Sequence, residues 1–284
     1  MPRASFRLAF VALAATLTIA ASAAEEKWAA EIKQGNEAYS TARMAILKID
    51  DAAYVKPGGR AWLVRTGAAN GKLAWSYTAK KGALLEVGFG KDGAPEALRN
   101  GAPVSPSLVS VTPDVDVRIQ QTQVSAGVMG LRAFAFNQAN PAAKAFTGLS
   151  YFPYDPAYRV EAVFTPGKAE PVDFETSRGI TKRFYRLGAA RFTLKGAALT
   201  LPLYGEFPQG AKSAFFLDAN SGKATYAAGR YVDAEAGTAP GTLTIDFNYA
   251  YNPNCARSAF YTCPLTKDRL AVAVDAGEKA PPGH

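Results

Sequence analysis

Thr242-Leu-Thr-Ile-Asp-Phe-Asn248 decides the fold class. Leu243, Ile245 and Phe247 alternate with Thr244, Asp246 and Asn248, and successive strand side chains point to opposite faces. One face is apolar and the other polar, which predicts a half-buried β-strand. Working outward, Leu270, Val272 and Val274 repeat the pattern, so residues 270–275 are expected to form another strand. Upstream, Tyr158, Val160, Ala162 and Phe164 alternate with Arg159, Glu161 and Val163. Residues 181–186, 191–194, 198–203, 213–217, 224–228 and 230–232 continue the series. Before them, residues 61–65, 72–77, 84–89, 115–121 and 128–136 read as strands. Gly90-Lys-Asp-Gly93 and Asn100-Gly101 supply turns, and residues 93–113, with four prolines, are expected to hold a loop.

One helical segment comes first. Trp28, Ile32, Tyr39, Met44 and Leu47 recur at helical spacing, and Gly35-Asn36 leaves one helix or two shorter ones open. Many short strands with a single helical segment at the start predict an all-β protein, a sandwich or barrel with one or two β subdomains. The expected divisions are a signal segment at 1–23, a helical segment at 24–56, a β region at 57–126, a second β domain at 127–279 and a tail at 280–284.

The signal segment rests on Arg3 and Arg7, then an apolar run, then Ala21-Ser-Ala23. The run is shorter than the roughly 20 residues that span a bilayer, and no later run is longer. The expectation is therefore an exported protein, periplasmic or secreted, with no transmembrane segment after cleavage. Thirty-two Lys and Arg less Arg3 and Arg7 leave thirty against twenty-four Asp and Glu, a charge near +6. These cations are scattered, and nucleic-acid binding needs them clustered.

The strand at 242–248 runs into Asp246-Phe-Asn-Tyr-Ala-Tyr-Asn-Pro-Asn-Cys-Ala-Arg-Ser-Ala-Phe-Tyr-Thr-Cys263, which contains both cysteines of the chain. In an exported chain Cys255 and Cys263 are expected to form a disulfide, worth about 2.5 kcal/mol for so short a loop. A redox or metal pair is the alternative. The single histidine is His284, in the tail, which removes the usual general base, Ser-His-Asp and Cys-His catalysis and most zinc sites. No phosphate-cradling glycine loop and no serine elbow occurs. Asp218-Ala-Asn-Ser-Gly222 lacks the glutamate that a calcium loop requires and reads as a hairpin turn. No cofactor and no metal are expected.

Arg230, Tyr231, Asp246, Asn248, Tyr251, Asn252 and Glu278 are the candidate ligand-binding residues. A carboxylate, an arginine, amides and tyrosines suit a small polar or anionic ligand. The same groups also suit a structural network, with Arg230 paired to Asp246, because buried polar groups need partners whether or not they act. A non-catalytic protein that binds a small ligand or an envelope partner is the first functional reading. A hydrolase using Asp246 and Glu278 as paired carboxylates about 5–9.5 Å apart is the second.

Three segments carry a family resemblance: Tyr151-Phe-Pro-Tyr-Asp-Pro-Ala-Tyr-Arg-Val-Glu-Ala162, Gly222-Lys-Ala-Thr-Tyr-Ala-Ala-Gly-Arg-Tyr231, and 246–255 with Cys263-Pro264 and Ala276-Gly-Glu-Lys279. Across residues 127–279 the chain resembles the bacterial and archaeal family known as domain of unknown function 1684. The family's usual Glu-Asn pair before Arg-Leu is replaced here by Pro264-Leu-Thr-Lys-Asp268, and its Trp-Leu segment is only echoed at Trp62-Leu63. The resemblance implies a β-rich fold and no particular activity.

Overall fold

A computed structural model of the chain describes residues 5–67 and 71–282, with side chains of the first helix described from Ala23 on. The expected signal segment lies outside those described side chains except for Ala23, and His284 lies outside the described residues. The first helix, α1, spans Ser5–Ser40 and passes through Gly35 without a break. A helix-interior glycine costs about 1 kcal/mol, and docking offsets it. Trp28 Nε1 donates to the Asn248 carbonyl at 2.8 Å, Asn36 Oδ1 accepts from the Leu149 amide, and Tyr39 donates to Asn254 Oδ1 at 2.9 Å. Met44 and Leu47 fall beyond its end. Among the described residues no helix is long and apolar enough to cross a membrane.

The first β unit contains β1 (Ile49–Val55), β2 (Arg60–Arg65), β3 (Leu73–Ser76), β4 (Leu85–Phe89), β5 (Pro95–Arg99), β6 (Ala102–Val104), β7 (Leu108–Thr112), β8 (Val115–Ser125) and β9 (Val128–Asn137). Strands β1-β9-β8-β7 form one sheet and β3-β2-β4-β5-β6 another. One core, including Leu63, Leu73, Val87, Val117 and Leu131, draws on both sheets.

Two expectations for this unit need correction. The segment expected to be helical to residue 56 ends in β1. Its Asp50 and Asp51 do not break the strand, because their carboxylates accept the backbone N–H groups of Leu73 and Trp75. Residues 93–113 hold a short loop at 105–107 as expected, but also three strands, with Asn100 and Gly101 at positive φ in the two-residue turn between β5 and β6. Such turns favour Asn-Gly because both central residues need left-handed backbone. The expected division at 126/127 falls inside the β8–β9 hairpin.

After a short helix, α2 (Pro141–Ala145), six antiparallel strands close into a barrel. They are β10 (Arg159–Phe174), β11 (Lys182–Leu194), β12 (Ala197–Gly205), β13 (Lys212–Phe216), β14 (Arg230–Ala236) and β15 (Thr242–Asp246). The all-β expectation thus resolves into a barrel plus a two-sheet unit. Val160, Ala162, Phe192, Leu201, Leu203, Phe216, Val232, Leu243, Ile245 and Phe247 form the barrel core. The residues 270–275 do not form the expected strand, although Leu270 and Val274 are buried against that core. An arginine takes the place of a neighbouring strand there. Arg230, in phase with Val232 on β14, donates to the carbonyls of Val274, Ala276 and Glu278. Residues 224–228 likewise form turns rather than a strand.

Because strand side chains alternate, Tyr204, Phe215 and Tyr231 point out of the barrel where Leu203, Phe216 and Val232 point in. These rings gather with Phe174, Phe184 and Cys263 in a second cluster. Residues 254–264 lie between this cluster and the first β unit. Tyr54 donates to the Phe260 carbonyl at 2.8 Å, the Tyr261 ring sits 4.7 Å from that of Phe134, and Ser177 donates to the Tyr261 carbonyl. The cysteine-bearing segment is the joint between the two units.

Candidate functional site

The seven sequence-selected residues separate into four groups. Arg230 is 1 % exposed and its Nη2 meets Asp218 Oδ2 at 2.8 Å, with Asp218 equally buried. Its partner is therefore Asp218, supplied by the turn at 218–222, and not Asp246. Gly222 in that turn has φ +83°, a left-handed backbone that glycine accepts readily. With no strand at 224–228, the turn belongs to the long connection from β13 to β14 rather than to the expected hairpin. Asp246 instead caps the one-turn helix Phe247–Tyr249, accepting from the Asn248 amide at 3.0 Å and from Asn248 Nδ2 at 2.9 Å. Asn248 consequently leaves the strand whose polar face it was expected to share, and it also donates to the Asp155 carbonyl.

Glu278 is 1 % exposed and both carboxylate oxygens are engaged, Oε2 by the Asn252 amide at 2.8 Å and Oε1 by Arg257 at 2.9 Å. Burial pushes its carboxyl pKa up against those hydrogen bonds. Asp246 lines a cavity of ≈ 520 Å³ with Asp233, Glu235, Glu31 and Arg159, and Glu278 is not part of its wall. Among the described residues Glu278 lines none of the cavities that Asp246 lines, and both of its oxygens are already taken, so the pair does not present the open, water-holding cleft that a two-carboxylate hydrolase uses.

Tyr231 and Tyr251 face each other through a reciprocal pair of backbone hydrogen bonds, each 2.9 Å. Tyr251 lines both the Asp246 cavity and a second one of ≈ 540 Å³, which Tyr231 also lines. The Tyr231 hydroxyl donates to the Pro264 carbonyl at 2.5 Å.

Cys255 and Cys263 are free thiols, so the expected bridge is not formed. The Cys263 sulfur accepts from the Cys255 amide at 3.3 Å, and a thiol–thiol hydrogen bond holds the two side chains together. That bond, received from Cys263, lowers the Cys255 pKa to about 7. The same bond, together with burial, pushes Cys263 up.

The ≈ 540 Å³ cavity lies on the outward-facing aromatic cluster. Phe184, Tyr204, Phe215, Tyr231 and Tyr261 form its walls, Cys263 and Pro264 close one side, and Lys182 and Arg132 supply the cations. Lys182 is 9 % exposed, and its one hydrogen bond runs to Thr122 Oγ1 at 3.3 Å. Burial lowers its pKa, and the neighbouring positive charge of Arg132 lowers it further. Among the described residues no carboxylate is in ion-pair contact with it, although Glu206 in the same wall draws its pKa part of the way back up. Arg132 stacks on Phe134 and Tyr261, donates through Nη2 to Gln120 at 3.0 Å, and keeps a buried Nε without a partner. Glu206, exposed on the loop after β12, is the single carboxylate in the wall. Two cations without a paired acid beside five aromatic rings suit an anionic group attached to an apolar body. Among the described residues no cluster of three or more His, Cys, Asp or Glu could hold a metal ion.

The model of the family described as "Protein of unknown function (DUF1684)" matches residues 144–279, from just before the barrel to just after Glu278. The chain belongs to the DUF1684 family. The family match begins later than the resemblance did, and it excludes the hairpin that carries Arg132. An uncharacterized protein of Haloarcula marismortui, solved in solution by NMR, is 36% identical over 51% of this chain and 82% of its own, with a TM-score of 0.42. No curated protein matches the chain. In this DUF1684 protein the cavity is thus built by barrel residues within the matched span and by one arginine outside it.

Sequence reasoning passed over Lys182, leaving it among the scattered cations. A usable signal was present: Lys182 shares its strand face with Phe184, so an alternating apolar face begins with an ammonium. Arg132 gave no such signal. It reaches the cavity only because β9 packs beside the barrel, which a strand pattern alone does not specify.

Proposed function

We propose that this protein binds a small molecule joining an anionic group to an apolar, planar body in the Lys182 cavity, without turnover. The observation that carries the reading is a buried ammonium with a neutral hydroxyl as its hydrogen-bonding partner. An unpaired buried charge costs several kcal/mol, and a ligand anion would supply the missing partner. Arg132 adds a second cation, and the aromatic wall takes the apolar body by stacking and area burial. The candidate residues Tyr231 and Tyr251 serve in this reading as wall. Asn248, Asn252, Arg230 and Glu278 hold the joint that positions it.

The basic leader, apolar run and Ala21-Ser-Ala23 support export to the periplasm or beyond. Thermal-shift titration with phenylacetate and benzoate tests the binding reading. Stabilisation of the wild type that is lost in Lys182→Met supports it. Equal shifts in both proteins, or none in either, would overturn it.

A further inference from the structure

The cavity contains more than an anion site requires. A lysine serving only as a counter-charge works best at the rim, hydrated until the ligand arrives. Lys182 instead lies buried at the start of β11, against Phe184, and lines both the main cavity and an adjoining one of ≈ 250 Å³. Arg132 lines both spaces as well, and so does Glu206. One amine, one guanidinium and one carboxylate therefore converge on the same volume. Roles divide naturally among them: the planar guanidinium suits a carboxylate bidentately, and the lone carboxylate can exchange a proton with water at the mouth.

We propose that Lys182 captures an aromatic 2-oxo acid covalently and reversibly as a Schiff base, with the ligand carboxylate on Arg132 and its ring against Phe184, Tyr204 and Phe215. This deepens the binding function proposed above and rests on it. The neutral Lys182 Nζ attacks the carbonyl carbon, forming a C–N bond while the C=O π pair moves to oxygen. Nitrogen loses a proton and oxygen gains one, which gives a carbinolamine. Glu206 gives a proton to the hydroxyl, which leaves as water while the nitrogen lone pair forms C=N, and the proton then left on nitrogen returns to Glu206. One water is released and nothing is oxidised or reduced, so hydrolysis returns the ligand unchanged. Burial beside a second cation favours the neutral amine that this chemistry needs, in the direction that Lys182 shows.

The test uses the full-length protein, phenylpyruvate as the carbonyl probe and phenyllactate as its carbonyl-free analogue. Borohydride reduction in the presence of phenylpyruvate should add the mass of one phenylpyruvate less one oxygen atom, mapped to Lys182. Labelling should fall mainly on Lys182, roughly several-fold above any surface lysine, because a depressed pKa leaves more free amine at a given pH. Lys182→Arg, which keeps the charge and the fold, should carry no adduct at that position, and phenyllactate should suppress the labelling. Even labelling across surface lysines would overturn the proposal. Absence of an adduct while both probes raise the melting temperature would overturn the Schiff base and leave the anion site standing. Absence of both signals would sink the binding function as well.

Discussion

Replacing Lys182 with methionine should make the protein more stable, a result opposite to most core substitutions. Lys182 is 9 % exposed, has one neutral hydrogen bond at 3.3 Å, and has a like charge beside it. Methionine keeps most of the stem's volume against Phe184 and removes the buried ammonium. Exchanging even a complete buried ion pair for apolar residues is often neutral or stabilising by about 1–4 kcal/mol. Here no partner is left behind, so a gain of about 1–3 kcal/mol is expected. For a chain of this size each kcal/mol moves Tm by about 2–4 °C. The pH dependence follows from the sign of the shift. The folded pKa lies below the unfolded value of about 10.4, so between the two the unfolded chain binds more protons. Wild-type stability should therefore rise with pH across that window. The Lys182→Met advantage should be fully present below the window and shrink toward its top. Calorimetry or urea unfolding from pH 7 to 10.5 measures both. A variant that melts below the wild type at pH 7, or that keeps the wild-type pH slope, would refute the reasoning.

Asp218→Asn should be strongly destabilising, by about 3–5 kcal/mol in urea unfolding, because it leaves Arg230 buried without a counter-charge; a loss under 1 kcal/mol would show that the three carbonyls suffice. Gly277→Ala should cost more than the roughly 1–2 kcal/mol of a left-handed backbone. Gly277 has φ +77°, and an added Cβ would meet the Phe247 carbonyl at 2.7 Å; a neutral effect on Tm would count against that packing. In the reduced protein, iodoacetamide should modify Cys255 with a midpoint near pH 7 and leave Cys263 almost untouched; peptide mapping that finds Cys263 the faster thiol would reverse the assignment.

The β class was legible because alternation is a local property. Leu243, Ile245 and Phe247 were assigned to one face from their spacing, and all three lie in the barrel core. Strand limits were less legible where tertiary partners override pattern. Residues 270–275 alternate like a strand, yet the Val274 carbonyl and those of Ala276 and Glu278 just after it are taken by the Arg230 guanidinium. β1 was hidden by two aspartates that only the neighbouring strand β3 makes tolerable. For the site, clustering of polar and aromatic residues in 246–263 marked the right region for the wrong reason. Those residues build the joint, and the cavity beside it takes its charges from β9 and β11. Arg230 and Glu278 looked functional because buried charge is rare. Their partners, Asp218 and Arg257, lie 12 and 21 residues away in sequence, and only the folded chain shows the charges already satisfied.

The hydrogen bond from Trp28 to Asn248 joins residues 220 positions apart, and that separation bears on folding kinetics. Synthesis proceeds from the N-terminus, and loop closure comes at an entropic cost before a distant contact returns anything. The docking face of α1 meets its first partners at Phe146, Leu149, Tyr151 and Tyr154, but its bonds to Asn248 and Asn254 wait until β15 and the turn after it have emerged. During that interval the Trp28 indole N–H and the Tyr39 hydroxyl lack these acceptors, and the end of the chain completes the structure by covering the beginning.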